Sequence, residues 1–96
     1  MEDLCLATGK VMVMVLEENR RQIKKWGIQD REPFEWLGFA TEELGELAEA
    51  IGEWQFRDGP IEDVAKEAIQ TATLCLKIAE MFNYKLLPKI SKVNNE

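Results

Sequence analysis

Two pairs of polar residues share one spacing, Glu43 with Glu46 and Glu67 with Gln70, three positions apart in each case. On a helix that step places both members of a pair on one face. The first pair lies in an acidic run, Glu42, Glu43, Glu46, Glu49 and Glu53, that contains no lysine or arginine. Two such helices packed antiparallel would bring four oxygen donors to one small volume. Hard divalent cations want that set: Mg2+ takes about six oxygens at about 2.0–2.1 Å, a few from carboxylates and the rest from water or phosphate.

What else could do chemistry is quickly bounded. The chain has no histidine, which removes Ser-His, Cys-His and His-metal mechanisms together. No GxGxxG or GxxxxGK[ST] string occurs, so a glycine loop is not expected to cradle phosphate. Catalysis, if present, must run on carboxylates, amides, lysines or a metal.

The 96 residues suit one domain, residues 1–96, with a real but limited core that a partner subunit could extend. A net charge of −6, from 12 basic and 18 acidic residues, argues against nucleic-acid polymers and anionic membranes as partners. Phosphates remain accessible to an acidic protein through a bridging cation. Cys5 and Cys75 stand far apart in no metal or redox spacing and read as reduced thiols of a cytoplasmic chain. The longest apolar run, Val11 to Leu16, is far short of a membrane span.

The elements that must position the pairs read mainly as helices. Breaks are expected at Trp26 to Pro33, at Arg57-Asp58-Gly59-Pro60 and near Asn83 to Pro88. The first segment, about residues 3 to 26, is ambiguous at Val11-Met12-Val13-Met14-Val15, which alternates like a strand although a lone strand would have no partner. Pro33 and Glu35 suit the start of a second helix, and Leu37, Ala40, Leu44, Leu47, Ile51 and Trp54 make an amphipathic stripe along it. That stripe leaves Glu43 on its flank beside Trp36, Ala50 and Trp54. A third helix, about Ile61 to Phe82, carries Ile61, Val64, Ala65, Ala68, Ala72, Cys75, Ala79 and Phe82 on one face. Past Gln70, Leu74, Ile78 and Met81 make its other side apolar too, so a fourth helix or a second subunit should cover it. The expected fold is all-α, a four-helix-type bundle of three main helices and a short C-terminal one, completed by oligomerisation.

With these residues placed, a family resemblance emerges. Trp36-Leu37, followed by Glu42-Glu43-Leu44-Gly45-Glu46-Leu47-Ala48-Glu49-Ala50, closely resembles the core of the MazG-like, all-α nucleoside triphosphate pyrophosphohydrolases. Their signature is E-x-x-E and E-x-x-D across a gap like the twenty residues between Glu46 and Glu67 here. Lys25-Trp26-Gly27-x-Gln29 is similar to the lead-in of many members, and the likeness covers roughly residues 20 to 83. The departure is Gln70, which stands where the signature has aspartate. Its amide can offer an oxygen to a cation but brings no charge and cannot act as a base.

The resemblance implies a homodimer or homotetramer that cleaves a nucleoside triphosphate between its α and β phosphates. Glu43, Glu46, Glu67 and Gln70 would hold Mg2+, with Mn2+ as the substitute. Glu46 or Glu42 would take a proton from the attacking water. Trp26, Trp36 and Trp54, with Phe34, could stack on a base. Lys25 and Lys92 head the phosphate contacts, beside Lys24, Arg31, Arg57 and Lys89. Asp63 reads as a helix-start residue.

Two other readings stand beside the hydrolase. The first is a catalytically weak helical oligomerisation or regulatory module, in which Gln70 replaces a needed charge. The second, minor one is phosphoribosyl-ATP pyrophosphatase chemistry, which the W-G-x-Q and E-E-x-G-E strings fit less well.

Overall fold

The computed structural model describes residues 9–94, and the side chains of residues 9–84. Three helices follow in order: α1 Lys10–Trp26, α2 Pro33–Arg57 and α3 Ile61–Asn94. No strand occurs among the described residues. The ambiguous valine-methionine stretch is therefore helical, and Val15 is buried on it. Gly9, with φ of 77°, precedes the first turn, and Gly27, with φ of 76°, ends the last by giving its N–H to the Ile23 carbonyl at 2.7 Å. Both sit in the left-handed region that a side chain resists.

At the start of α2, Pro33 occupies the first turn, where no N–H is needed, and the Glu32 N–H donates to Glu35 Oε1 at 3.1 Å. Its end is set by Asp58 in the left-handed conformation (φ 58°) and by the Gly59 N–H on the Glu53 carbonyl at 2.8 Å. Gly59 is packed so tightly there that a Cβ would stand 2.8 Å from that of Glu53. Only glycine fits this corner. The chain then enters α3 with Glu62 and Asp63 in its first turn, favoured by the helix dipole.

One expectation fails at the C-terminal end. Helix α3 runs through Asn83 to Pro88 as far as Asn94, so the described residues hold three helices and no separate fourth. A single proline removes one backbone hydrogen bond, and Lys85, Leu86, Leu87 and Ile90 around it favour continued helix.

Helix α3 is the spine: α2 packs along it, α1 packs against it, and α1 and α2 do not pack on each other. The core is small. Trp36, Ala40 and Leu74 are buried together, with Ile78 and Met81 against them. This corrects two faces. On α2 the inward side carries Trp36, which lies outside the expected stripe, and Ala40, which belongs to it, while Leu37, Leu44 and Ile51 of that stripe are 49%, 56% and 40% exposed. On α3 it is the Leu74, Ile78 and Met81 side that packs, leaving Cys75, Ala79 and Phe82 exposed. Both helices are apolar on two sides, and the large Trp36 ring settles which side turns inward because it buries the most surface.

Candidate functional site

The α2–α3 hairpin works as a ladder. Because the helices run antiparallel from one tight corner, residues an equal distance from it face each other: Glu46 meets Glu67, Glu43 meets Gln70 one turn further on, and Trp36 meets Lys77 beyond that. The side chains bear this out. Ligand atoms of Glu43, Glu46 and Glu67 all lie within 4.8 Å of one another. Gln70 closes the group, its amide nitrogen donating to Glu43 Oε2 at 2.9 Å and Glu67 Oε2 at 3.0 Å in the orientation that satisfies both. Lys77 Nζ lies 5.5 Å from the centre of the Trp36 ring.

Crowding shows in the electrostatics. Partial burial, the hydrogen bond with Glu67 and the neighbouring charge of Glu46 push the Glu43 pKa up to about 7. Three carboxylates and an amide are hard oxygen donors, and the repulsion that raises Glu43 is the kind a divalent charge relieves. The donor set fits such a cation, provided that Gln70 turns its oxygen inward.

Between α1 and α2, which α3 holds apart, runs a groove of about 1130 Å³. Glu42, Glu43 and Gln70 line it at one end; Arg21, Arg31, Lys77, Trp26 and Phe39 line it elsewhere. A smaller acidic cleft of about 510 Å³ lies against Glu46, Glu49, Glu53, Asp63 and Glu67. The four-residue cluster thus straddles the hairpin, with Glu43 and Gln70 toward the groove and Glu46 and Glu67 toward the cleft.

The other residues singled out in the sequence fall in different places. Glu42 is exposed on the groove, and Trp26 lines it while remaining 53% exposed under Lys25, whose ammonium is 4.6 Å from the ring centre. Trp36 also borders the groove but is buried, edge-on to Phe39 at 6.2 Å. Trp54, Phe34 and Lys25 are not among its lining residues. Arg57 pairs with Glu53 at 2.9 Å. The Lys89 and Lys92 side chains fall outside the described residues.

Phe39, Gln22 and Lys77 are among the groove residues that escaped the sequence reading. Lys77 lies two turns after Gln70 on the same helix face, so extending the register of the polar pairs would have found it. Gln22 is buried, yet nothing in the local sequence of α1 marks it as inward-facing.

Comparison with family models, with curated proteins and with solved structures finds no match. No helix among the described residues is long and apolar enough to cross a membrane.

Proposed function

We propose that this chain is a divalent-cation-dependent nucleoside triphosphate pyrophosphohydrolase of the MazG-like kind, releasing nucleoside monophosphate and pyrophosphate. The reading rests on the convergence of Glu43, Glu46, Glu67 and Gln70 at the end of a groove that also holds aromatic and cationic side chains. Those four residues would hold Mg2+ or Mn2+, which when bound supplies charge neutralisation on phosphate and acidity to water. Attack on the α phosphorus forms a new P–O bond, breaks the bond to the bridging oxygen and expels pyrophosphate. Glu46, the exposed member of the cluster, takes the proton of the attacking water, with Glu42 on the groove as the alternate base. Trp26, with its half-exposed ring on the groove, offers a stacking surface for the base.

One observation favours the second reading, a catalytically weak module. Gln70 braces Glu43 and Glu67 with two hydrogen bonds, a cluster that satisfies itself without an ion. Pyrophosphate release from a panel of canonical and modified nucleoside triphosphates, with Mg2+ or Mn2+, separates the two. The hydrolase requires turnover by the wild type that Glu43→Gln abolishes. Turnover appearing only in Gln70→Asp favours the module, and no turnover with no cation uptake by calorimetry sinks the hydrolase.

Either reading includes a second copy. Leu37, Leu44 and Ile51 recur at seven-residue steps as an exposed apolar stripe along α2, and α3 leaves Leu76 and Phe82 44% and 45% exposed. A homodimer or homotetramer would cover them. Light scattering that finds a stable monomer contradicts this.

A further inference from the structure

The three cations that line the groove among the described residues are not equivalent. Arg21 is held by Glu18, Nε at 2.9 Å and Nη2 at 2.7 Å from its oxygens. Arg31 reaches Glu35 at 3.4 Å and lies over the Phe39 ring at 4.9 Å. Each brings its own carboxylate. Lys77 does not: it is half-buried, its hydrogen-bond partner is the neutral amide of Gln22, and no carboxylate lies within ion-pair reach of it among the described residues.

A partly desolvated charge is costly unless something pairs with it. Burial lowers the Lys77 pKa, with the more distant Glu18 pulling the other way. An ammonium has three N–H donors, and Gln22 takes one, so donors remain for the groove. The arrangement around it is built rather than incidental. Gln22 is buried, and its Nε2 donates to Glu18 Oε2 at 2.7 Å, so its oxygen is left to face Lys77. Glu18 in turn is fixed by Arg21. The Trp36 ring supports the ammonium from the α2 side.

We propose that Lys77 is the anion-binding residue of the groove, donating to a phosphate oxygen of the ligand while Gln22, oriented by Glu18, holds the ammonium in place. This rests on the pyrophosphohydrolase reading for the identity of the ligand as a nucleotide, and on the groove's charges alone for its need of an anion. Lys77 stands two helical turns from Gln70, an axial rise of about 10 Å. A polyphosphate extended along α3 therefore meets positive charge at both ends, a cation in the carboxylate cluster and the ammonium of Lys77.

The test is a titration of the full chain with inorganic pyrophosphate in metal-free, low-salt buffer, read by calorimetry and by two-dimensional NMR. The wild type should bind, Lys77→Met should weaken binding by about tenfold or more, and Lys77→Arg should stay within about threefold, as for a charge-assisted hydrogen bond. Arg20→Gln, with the same change in charge on an exposed residue that does not line the groove, should bind like the wild type. The Trp36 indole N–H signal should shift on pyrophosphate addition while that of Trp54 does not. If Lys77→Met does not fold, Lys77→Gln replaces it. Equal affinity in the wild type and the neutral Lys77→Met or Lys77→Gln variant, or no binding by the wild type, overturns the proposal. Mg2+ calorimetry reports separately on the carboxylates. Pyrophosphate binding lost with Lys77 but no Mg2+ uptake leaves the anion site standing without the hydrolase, and Mg2+ uptake with no Lys77 dependence does the reverse.

Discussion

The Gln70 amide nitrogen stands 2.9 Å from Glu43 Oε2, reaching from α3 to α2 across the hairpin. A neutral side chain thus occupies the point where a fourth carboxylate would add to three already within 4.8 Å. It supplies two donors in place of a charge.

Removing those donors should destabilise the metal-free protein. Gln70→Leu is expected to cost about 1–3 kcal/mol in denaturant unfolding, because Glu43 and Glu67 lose their shared partner. Gln70→Asp should also be less stable without divalent cations, yet gain more stability than the wild type when Mg2+ is added, since a ligand that binds only the folded state stabilises by mass action. Melts with and without Mg2+ decide it. An identical Mg2+ response in both chains would show that position 70 does not touch the ion.

Glu43 gives the chain a pH dependence with a definite sign. Its folded pKa of about 7 lies above the ordinary carboxylate value of 4.5, so between these values the folded protein holds a proton that the unfolded chain has released. Its contribution to stability is complete below pH 4.5 and is lost as pH rises through about 7. Glu43→Gln removes the titration, and in metal-free buffer should be more stable relative to wild type at pH 8 than at pH 5, by on the order of 1–2 kcal/mol. Denaturant midpoints at the two pH values measure this, and saturating Mg2+ should erase the difference in the wild type. A gap between the two chains that is constant with pH would refute it.

The corner between α2 and α3 sets the ladder. Asp58 holds a left-handed conformation that glycine adopts freely, so Asp58→Gly should stabilise by about 0.5–1 kcal/mol. Gly59→Ala should destabilise by more than that, because its Cβ would meet Glu53 at 2.8 Å. Thermal unfolding of the pair should give opposite shifts. The Gly59 variant should also lose divalent-cation affinity, since a displaced corner shifts Glu46 against Glu67.

Much of this was legible in the chain itself. Helical spacing, the Pro33 start and the Asp58-Gly59-Pro60 stop place α2 and the head of α3 close to where they lie, because capping and periodicity are local physics. The two polar pairs and the hairpin between them were enough to bring Glu43, Glu46, Glu67 and Gln70 together, since an antiparallel turn leaves little choice of register.

Which faces pack was not legible. Helices α2 and α3 each carry two apolar sides, and local spacing cannot rank them; burial of Trp36 against Leu74 does, and it turns Leu37, Leu44 and Ile51 outward. Nor could the sequence by itself place α1, whose polar Gln22 is buried only because Lys77, fifty-five residues away, meets it. The groove exists because α3 holds α1 and α2 apart. Residue types and spacing determined the oxygen donors and the turn that joins them, while long-range packing decided where Lys77, the described groove cation without a carboxylate of its own, would stand.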